Sequence, residues 1–342
     1  MNRRICRLLC KGHISQARSL LPTCRHAHNR SLEEYELERE QQSALHKRVQ
    51  KISVNFVGVP GAEDIRLDMN KYTSTPYACA KHISEYHQKH SCLSLVNGVP
   101  WDMHRPIIED CAIQFLNFQQ DDPSIINQAY WRACAFILGS VLERALKPEC
   151  NVRLHRPPDF SVESGSFAYD FSAEFGREDW RPTSRELLLL SQMALKLSHG
   201  IKGKANFYTI LPLDVPLDVA KRMFSHNSKK LDQLEELRQL DDKTDVTVYK
   251  MGNHVDMLNT GGPLISNADV IGRFNVAAIH KIGEDGVRST YRAQGVSLPA
   301  ALTMHPWTYD HLIKNATLLN TSEELPREET KERVKEVEAL SG

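Results

Sequence analysis

The stretch YWRACAFILGSVLERAL, residues 130–146, carries the strongest fold signal in this chain. Its apolar side chains recur at every third or fourth position, which predicts a helix with one broad buried face. An aspartate and Pro123 precede the run and Pro148 follows it, so both ends of the helix are signalled. Arg132 and Phe136 lie one turn apart in this helix, at the spacing of two side chains that share a face.

Strand and helix patterns alternate along the chain after this helix. The strand-like runs are NVRLH, SGSFAYDF, KANFYTIL, TDVTVYKMG, ADVIGRFNVAAIHKI and STYRAQGVSLP. Helical patterns occupy RELLLLSQMALKL and a pair of segments within residues 214–240. This order predicts an antiparallel sheet with helices on one face, in a unit that spans residues 121–320.

Residues 51–120 carry the signals of a smaller unit. KISVNFV alternates like a strand, and Thr75 followed by proline predicts the start of a helix that runs to His90. Asn97-Gly98 lies between two strand-like runs and is a strong hairpin signal, and CAIQFLNF adds a further strand. The pattern predicts an α+β unit of the ubiquitin-like (β-grasp) type.

Residues 1–30 have the composition of a targeting segment, with seven Lys or Arg side chains, no acidic one, and amphipathic spacing at Ile5, Leu8 and Leu9. We interpret them as a mitochondrial transit peptide, which directs the protein to the mitochondrial matrix. A basic arm that binds nucleic acid is the alternative. The chain has 43 basic and 43 acidic residues, so removal of this segment leaves 36 against 43, a net charge of −7. We expect a protein of that charge to meet nucleic acid at the periphery or through protein neighbours.

Two charged segments flank the folded units. Residues 31–50 form a charged helical linker and residues 321–342 a charged tail, and both have helix propensity but few apolar side chains. We expect them to be solvated or to dock on a partner. No apolar run approaches the roughly 20 residues that cross a bilayer, so no membrane span is expected.

The cysteine pattern argues against a redox or zinc motif. The chain has eight cysteines and no CxxC pair. In a reducing compartment the widely spaced members of this set are expected to act as small buried apolar side chains. They are Cys79, Cys92, Cys111, Cys134 and Cys150.

The two units together resemble the front of the threonyl-tRNA synthetases. TPYACAKHIS, LVNGVPWDMHRPI and AIQFLNF are similar to the TGS domain of those enzymes, and YWRACAFILGSVLERAL, SGSFAYDF, HVDMLNTGGPLI and YRAQGVSLP are similar to their editing domain. The likeness covers residues 51–310 in the same order, and no aminoacylation core follows within the sequence. With the basic leader, this arrangement is similar to the synthetase-derived proteins of the mitochondrial large ribosomal subunit.

The resemblance implies four reactive positions, and none of them keeps its chemistry. The editing helix of the synthetases carries His-x-x-x-His, and the matching positions are Arg132 and Phe136. Their second segment carries Cys-x-x-x-His, and the matching positions are Leu258 or Thr260, depending on the alignment, and Leu264. Arginine stays protonated, and phenylalanine and leucine offer no lone pair, so we expect a catalytically inactive relic.

Other side chains offer little chemistry. Thr260 and the nearby His254 could form a new pair, although a histidine at a strand end is more often structural. His82, His87 and His90 share a helix without a supporting cysteine or carboxylate, so no metal site is predicted. The sequence contains neither GxxxxGK[ST] nor GxGxxG, and no cofactor is expected.

Two modest basic clusters are candidates for contact with rRNA phosphates. Solvated helix ends are the alternative interpretation. Phosphate contact requires only a few well-placed charges. The candidates are Lys196, Lys202 and Lys204 in one cluster, and Lys221, Arg222, Lys229 and Lys230 in the other.

The resemblance implies a structural constituent of the mitochondrial large ribosomal subunit that supports mitochondrial translation without being an enzyme. Its partners would be large-subunit ribosomal proteins and, at the periphery, large-subunit rRNA. The alternatives are a freestanding mitochondrial tRNA deacylase and an RNA-binding regulator. The first lacks a general base at the implied positions, and the negative charge without the leader argues against the second.

Overall fold

The protein is represented by a computed structural model. It describes residues 22–46, 48–58, 65–120, 122–175, 180–199, 209–240, 244–258, 261–285 and 288–321, with the backbone alone at 22–29, 240 and 285. Most of the predicted transit peptide, residues 1–21, and the tail after residue 321 lie outside the described residues.

The described residues form eight helices and twelve strands. The helices are α1 (Pro22–Leu45), α2 (Pro76–Ile83), α3 (Glu85–His90), α4 (Ser124–Ala145), α5 (Ser184–His199), α6 (Leu217–Met223), α7 (Ser228–Leu240) and α8 (Pro306–Asn315). The strands are β1 (Lys51–Phe56), β2 (Ile65–Asn70), β3 (Leu93–Val96), β4 (Val99–Trp101), β5 (Cys111–Leu116), β6 (Arg153–Leu154), β7 (Phe167–Ala173), β8 (Leu211–Pro216), β9 (Asp245–Met251), β10 (His254–Asp256), β11 (Ile271–Asp285) and β12 (Arg288–Pro299). Across the described ranges, none of these helices combines the length and the apolar character needed to cross a membrane.

The first unit is a five-stranded sheet with strand order β2–β1–β5–β3–β4. β1 and β5 are parallel neighbours at its centre, and the other neighbouring pairs are antiparallel. Val54 and Ile113 on the central strands are buried in one apolar cluster with Cys79 and Ala80 of α2. Residues 51–120 therefore have the mixed helix-and-strand structure that their sequence predicts.

Local signals in this unit are confirmed at one helix start and one turn. Thr75 caps α2 by accepting a hydrogen bond from a backbone N–H of its first turn. Asn97 and Gly98 have φ values of 51° and 81°, and they join β3 to β4 as the hairpin signal predicts. The single helix predicted over residues 75–90 is wrong, because Ser84 is extended: it ends α2, and its hydroxyl group caps α3.

The second unit is built around α4 and a four-stranded antiparallel sheet with order β11–β12–β7–β6. Fourteen of the residues of α4 are buried, which confirms the helix predicted from the apolar spacing. The helix approaches β7 very closely at Gly139, where a Cβ atom would lie 2.7 Å from Cε2 of Tyr169. A larger residue at this position would push the helix away from the sheet.

A separate antiparallel sheet with order β10–β9–β8 accompanies the first. The expected single sheet is therefore two sheets, because β8 to β10 enclose their own apolar cluster with α6, α7 and α1. The predicted strand KANFYTIL lies largely outside the described residues. The helical pair predicted from residue 214 begins at Leu217, since Pro216 still pairs with Asp245 at the end of β8.

Helix α1 docks on the second unit of its own chain. Tyr35 is fully buried, and its hydroxyl donates to the carbonyl oxygen of Leu211 at 3.0 Å. Nε2 of Gln42 donates to the carbonyl oxygen of Asp214 at 2.8 Å. The helix has few apolar side chains, and it is attached by one buried aromatic ring and these two hydrogen bonds. It therefore docks on its own chain. It also starts at Pro22, inside the predicted transit peptide.

Among the described residues β8 has a neighbouring strand on one side only, and two features oppose its pairing with another chain. Pro212 and Pro216 remove backbone N–H groups that a foreign strand would need. Two side chains of α1 occupy backbone carbonyl groups of the same strand. Edge strands of natural proteins are commonly protected in this way against pairing with other chains.

The five cysteines whose side chains the structure describes carry free thiols and are all buried, as expected. Burial raises the pKa of the Cys134 thiol to about 12. A thiol with so high a pKa is a poor nucleophile at neutral pH. These side chains therefore act as small apolar groups of the core.

Candidate functional site

Helix α4 places Arg132 where the resemblance implies the first histidine. Its Nε lies 3.2 Å from Oδ1 of Asp159, and its Nη2 lies 3.4 Å from Oδ2. The arginine side chain is only 15% exposed, so its charge is both paired and shielded. A permanently protonated group in an ion pair cannot take a proton from water.

The same guanidinium group fills the space over the loop that carries the other two positions. A Cβ atom at Gly262 would overlap Nη1 of Arg132, so the glycine allows the guanidinium to rest on the backbone. A cavity lined by Arg132, Asp159 and Phe160 measures about 10 Å³. That volume holds one water molecule at most. The guanidinium therefore occupies the space between α4 and the backbone at Gly262.

Phe136, at the position that the resemblance assigns to the second histidine, is an apolar core residue. The ring is fully buried, with its centroid 6.4 Å from that of Tyr249 and 5.0 Å from that of His254. Nδ1 of His254 lies 3.0 Å from Oε2 of Glu143, which gives this histidine a structural hydrogen bond. Thr260, its suggested partner in a new catalytic pair, lies outside the described residues.

Leu258 and Leu264 are buried in the same apolar cluster as α4. Neither can bind a proton or attack an ester. The backbone N–H of Leu264 donates to Oδ1 of Asp102 at 3.0 Å, so this loop is held by a carboxylate from the first unit. Leu258 and Leu264, two of the positions that the resemblance assigns to chemistry, are therefore packing positions in this structure.

Asp102 is the centre of a polar junction between the two units. Nε of Arg105 lies 3.1 Å from Oδ2 of Asp102, and Nη1 lies 3.3 Å from Oδ2 of Asp214. Nη2 of Arg105 also donates to Oγ1 of Thr247 at 3.0 Å. Burial raises the pKa of the Asp102 carboxyl to about 6, although Arg105 and the N–H of Leu264 oppose this shift. Desolvation therefore outweighs the ion pair at this junction.

A second network is sealed inside the second unit. Nζ of Lys230 lies 2.8 Å from Oδ1 of Asp256 and donates to the hydroxyl oxygen of Tyr169 at 3.1 Å and to the carbonyl oxygen of Met257 at 2.7 Å. The hydroxyl of Tyr169 donates to Asp256. Burial raises the pKa of Tyr169 well above its usual value and lowers the pKa of Lys230, which Asp256 counteracts. With 1% of the lysine side chain exposed, this network has no contact with solvent or substrate.

The assignment of Lys230 to a surface that contacts rRNA is therefore corrected. Lys230, Leu234 and Leu237 lie on the buried stripe of α7 at positions i, i+4 and i+7. This spacing was a usable signal in the sequence. The acidic partner could not be found in this way, because Asp256 follows 26 residues later on another element.

Two further basic candidates are neutralised within the chain. Nζ of Lys221 lies 2.6 Å from Oε1 of Glu235. Nε of Arg222 lies 3.2 Å from Oε2 of Glu34 on α1. Both cations keep part of their surface exposed, but each has a carboxylate that competes with a phosphate group.

Of the four remaining basic candidates, the structure describes two. Lys196 is exposed on α5, and Lys229 is half-buried at the start of α7. Both stay candidates for phosphate contact. Lys202 and Lys204 lie outside the described residues.

The histidines of the first unit pack against aromatic rings. The ring centroid of His87 lies 5.1 Å from that of Phe56 and 5.4 Å from that of Phe115. His90 stacks on Tyr86 at 4.4 Å. Within the ranges that the structure covers, no three His, Cys, Asp or Glu side chains are grouped so that they could hold a metal ion.

Replacing Lys230 by Met is expected to lower the free energy of unfolding by about 3–5 kcal/mol, because Asp256 would be left buried without a counter-charge. Urea denaturation followed by circular dichroism measures this change. Adding Asp256→Asn to the variant should recover part of the loss. The matched control is Lys229→Met, which should cost less than about 1 kcal/mol; equal losses in the two single variants would contradict the assignment.

The Asp102 carboxyl should make stability depend on pH. The pKa of this carboxyl in the folded protein, about 6, exceeds the ordinary value of 3.8. Its protonated form therefore adds to the free energy of unfolding below about pH 4, and this stabilisation is lost as the pH rises to about 6. Asp102→Asn removes the titration and keeps an oxygen that accepts from Leu264. The wild-type free energy of unfolding minus that of the variant should therefore fall by about 3 kcal/mol across this interval. A difference that stays constant with pH would show that the carboxylate is ionised throughout.

Comparison with known proteins relates the chain to a ribosomal protein and to tRNA ligases. No family model matches the chain. The chain is 40% identical over 270 residues to the large ribosomal subunit protein mL39 of Drosophila melanogaster, a match that covers 78% of this chain and 77% of that protein.

More distant relatives are tRNA ligases. The chain is 28% identical over 281 residues to the cytoplasmic threonine–tRNA ligase 1 of Homo sapiens, covering 79% of the chain and 34% of the ligase. It is 28% identical over 232 residues to the mitochondrial threonine–tRNA ligase 1 of Arabidopsis thaliana, covering 67% and 30%. The chain thus spans about a third of the length of the ligases that it matches. By its 40% identity along most of both chains, this protein belongs to the mL39 family of large ribosomal subunit proteins.

Proposed function

We propose that this protein is a structural constituent of the mitochondrial large ribosomal subunit and supports mitochondrial translation in the matrix. It is a derivative of the threonyl-tRNA synthetase editing region, and it is not an enzyme. The observation that carries this proposal is the occupation of the reactive positions by the ion-paired Arg132 and the buried Phe136, Leu258 and Leu264. Family membership supplies the ribosomal context.

The finer fold assignment is part of the same proposal. A mixed sheet of order β2–β1–β5–β3–β4 with a parallel central pair and a helix on one face supports a TGS-like β-grasp unit at residues 51–120. The similarity to the threonine–tRNA ligases supports an editing-like unit at residues 121–320. We assign residues 1–30 to a transit peptide and residues 321–342 to a charged tail. The linker proposed at residues 31–50 is better joined to the second unit, because α1 docks there.

The proposed partners are inferred from a structural role in the large ribosomal subunit. Large-subunit ribosomal proteins would contact its shaped surfaces, and rRNA would lie at its periphery. The buried junction at Asp102 and Arg105 supports this role, because it fixes the two units as one body that can bridge neighbours.

Sedimentation of the endogenous protein from lysed mitochondria tests the assignment. We expect it to migrate with the large ribosomal subunit after a high-salt wash and to be released when magnesium removal unfolds the subunit. Migration as a small free species would contradict the proposal. That outcome would favour the deacylase or the RNA-binding regulator.

Restoring the two histidines tests whether the cleft retains latent activity. Arg132→His with Phe136→His should yield no hydrolysis of mischarged aminoacyl-tRNA above the uncatalysed rate, because Leu258 and Leu264 still supply neither thiol nor imidazole. Wild-type protein treated identically is the control. Turnover by the double variant would show that the cleft is open to substrate, against the packing seen at Phe136.

A further inference from the structure

The edge of the four-stranded sheet carries an arginine with no carboxylate of its own. Arg153 begins β6, the outermost strand, and its Nη1 donates to Oγ of Ser228 at 2.9 Å. Ser228 is neutral, and within the described residues the Arg153 guanidinium forms no ion pair shorter than 4 Å. An arginine held by a neutral hydroxyl keeps its full charge and most of its donors for another anion.

A second arginine lies close to the first. Nε of Arg288 lies 2.7 Å from Oε1 of Glu174, and the same carboxylate oxygen accepts from Nδ2 of Asn151 at 3.1 Å. Partial burial and the charge of Arg288 lower the pKa of Arg153, which shows that the two guanidinium groups repel each other. One carboxylate is thus shared by two arginines.

Two lysines extend this positive region. Lys147 leads into the turn whose Cys150 carbonyl oxygen accepts from the N–H of Glu174 at 2.8 Å, and Lys229 follows Ser228 at the start of α7. We name the four cations Lys147, Arg153, Lys229 and Arg288 the β6 patch. Glu149 lies in the same turn as Lys147, and Glu174 contacts Arg288, so the patch also contains carboxylates.

The basic side chains of α6 and Lys230 of α7 differ from this patch, because carboxylates of the same chain neutralise them. The positive charges of α6 are paired with Glu34 and Glu235, and Lys230 is buried beside Asp256. Without residues 1–30 the chain carries a net charge of −7. A local positive region on an acidic protein is a surface for an anion, and guanidinium donors match phosphate oxygens in pairs.

We propose that the β6 patch contacts the phosphate backbone of rRNA. This inference rests on the proposed ribosomal function and specifies where the nucleic acid would lie. The contact positions the protein on RNA without reading its sequence, because phosphate groups are the same along the strand. Arg153 provides the principal contact, and Lys147 and Arg288 flank it.

The salt dependence of RNA binding tests this inference. The purified full chain is titrated with a transcript of mitochondrial large-subunit rRNA in filter-binding assays over a series of KCl concentrations. Arg153→Gln should weaken binding and reduce the slope of log K against log salt by about 1, and Arg153→Gln with Lys147→Gln by about 2. Wild-type protein that does not bind the transcript, or an unchanged slope in both variants, would overturn the inference.

Matched variants separate charge from structure. Arg153→Lys keeps the charge and should keep the slope, and Ser228→Ala removes the hydrogen bond but leaves the charge, so it should also bind like wild type. Lys81→Gln changes an exposed lysine of α2 in the first unit and should leave the slope unchanged. If Ser228→Ala reproduces the loss seen with Arg153→Gln, the arginine acts by holding α7 and the inference fails.

Sedimentation of the same variants distinguishes this inference from the proposed function. Arg153→Gln protein that still migrates with the large subunit and binds RNA with an unchanged slope would leave the function standing and reduce the patch to protection of an edge strand. Wild-type protein that never migrates with the subunit would overturn both. A reduced slope together with salt-sensitive migration of Arg153→Gln supports the inference.

Discussion

The close contact between α4 and β7 at Gly139 is the constraint on which the second unit depends. Since a side chain there would collide with Tyr169, the helix can approach the sheet only through this glycine. Tyr169 in turn donates to Asp256, which holds Lys230. The position of one helix therefore links the four-stranded sheet to the three-stranded sheet through buried polar atoms as well as through apolar packing.

The positions that the resemblance assigns to catalysis are occupied by side chains that pack or form ion pairs within the chain. Phe136 is buried in the apolar core. The ion pair with Asp159 offsets the cost of burying the charge of Arg132. The backbone N–H of Leu264 donates a hydrogen bond to the carboxylate of Asp102 in the first unit. The loop that carries Leu264 is thereby joined to the first unit by a buried hydrogen bond.

Local features of the structure could be predicted from the sequence, and features that join distant segments could not. The apolar period of α4, the threonine cap of α2 and the Asn97-Gly98 turn are set by neighbouring residues, and they are found where expected. The loss of catalytic chemistry at Arg132 and Phe136 is inferred from the resemblance to the synthetases and stays a prediction. The docking of Tyr35 on β8, the burial of Lys230 and the division into two sheets depend on partners that are remote in sequence. Periodicity within one element carries no information about such partners.

The cover that α1 places over β8 limits how the chain can be trimmed before assembly. Tyr35 and Gln42 attach the helix to β8 by hydrogen bonds to its backbone carbonyl groups, and both residues lie beyond residue 30. Removal of residues 1–30, the proposed transit peptide, would therefore leave both contacts in place, whereas removal of the chain as far as Tyr35 would break one of them. A newly imported molecule that has not yet met its partners thus carries its own protection against self-association at this edge.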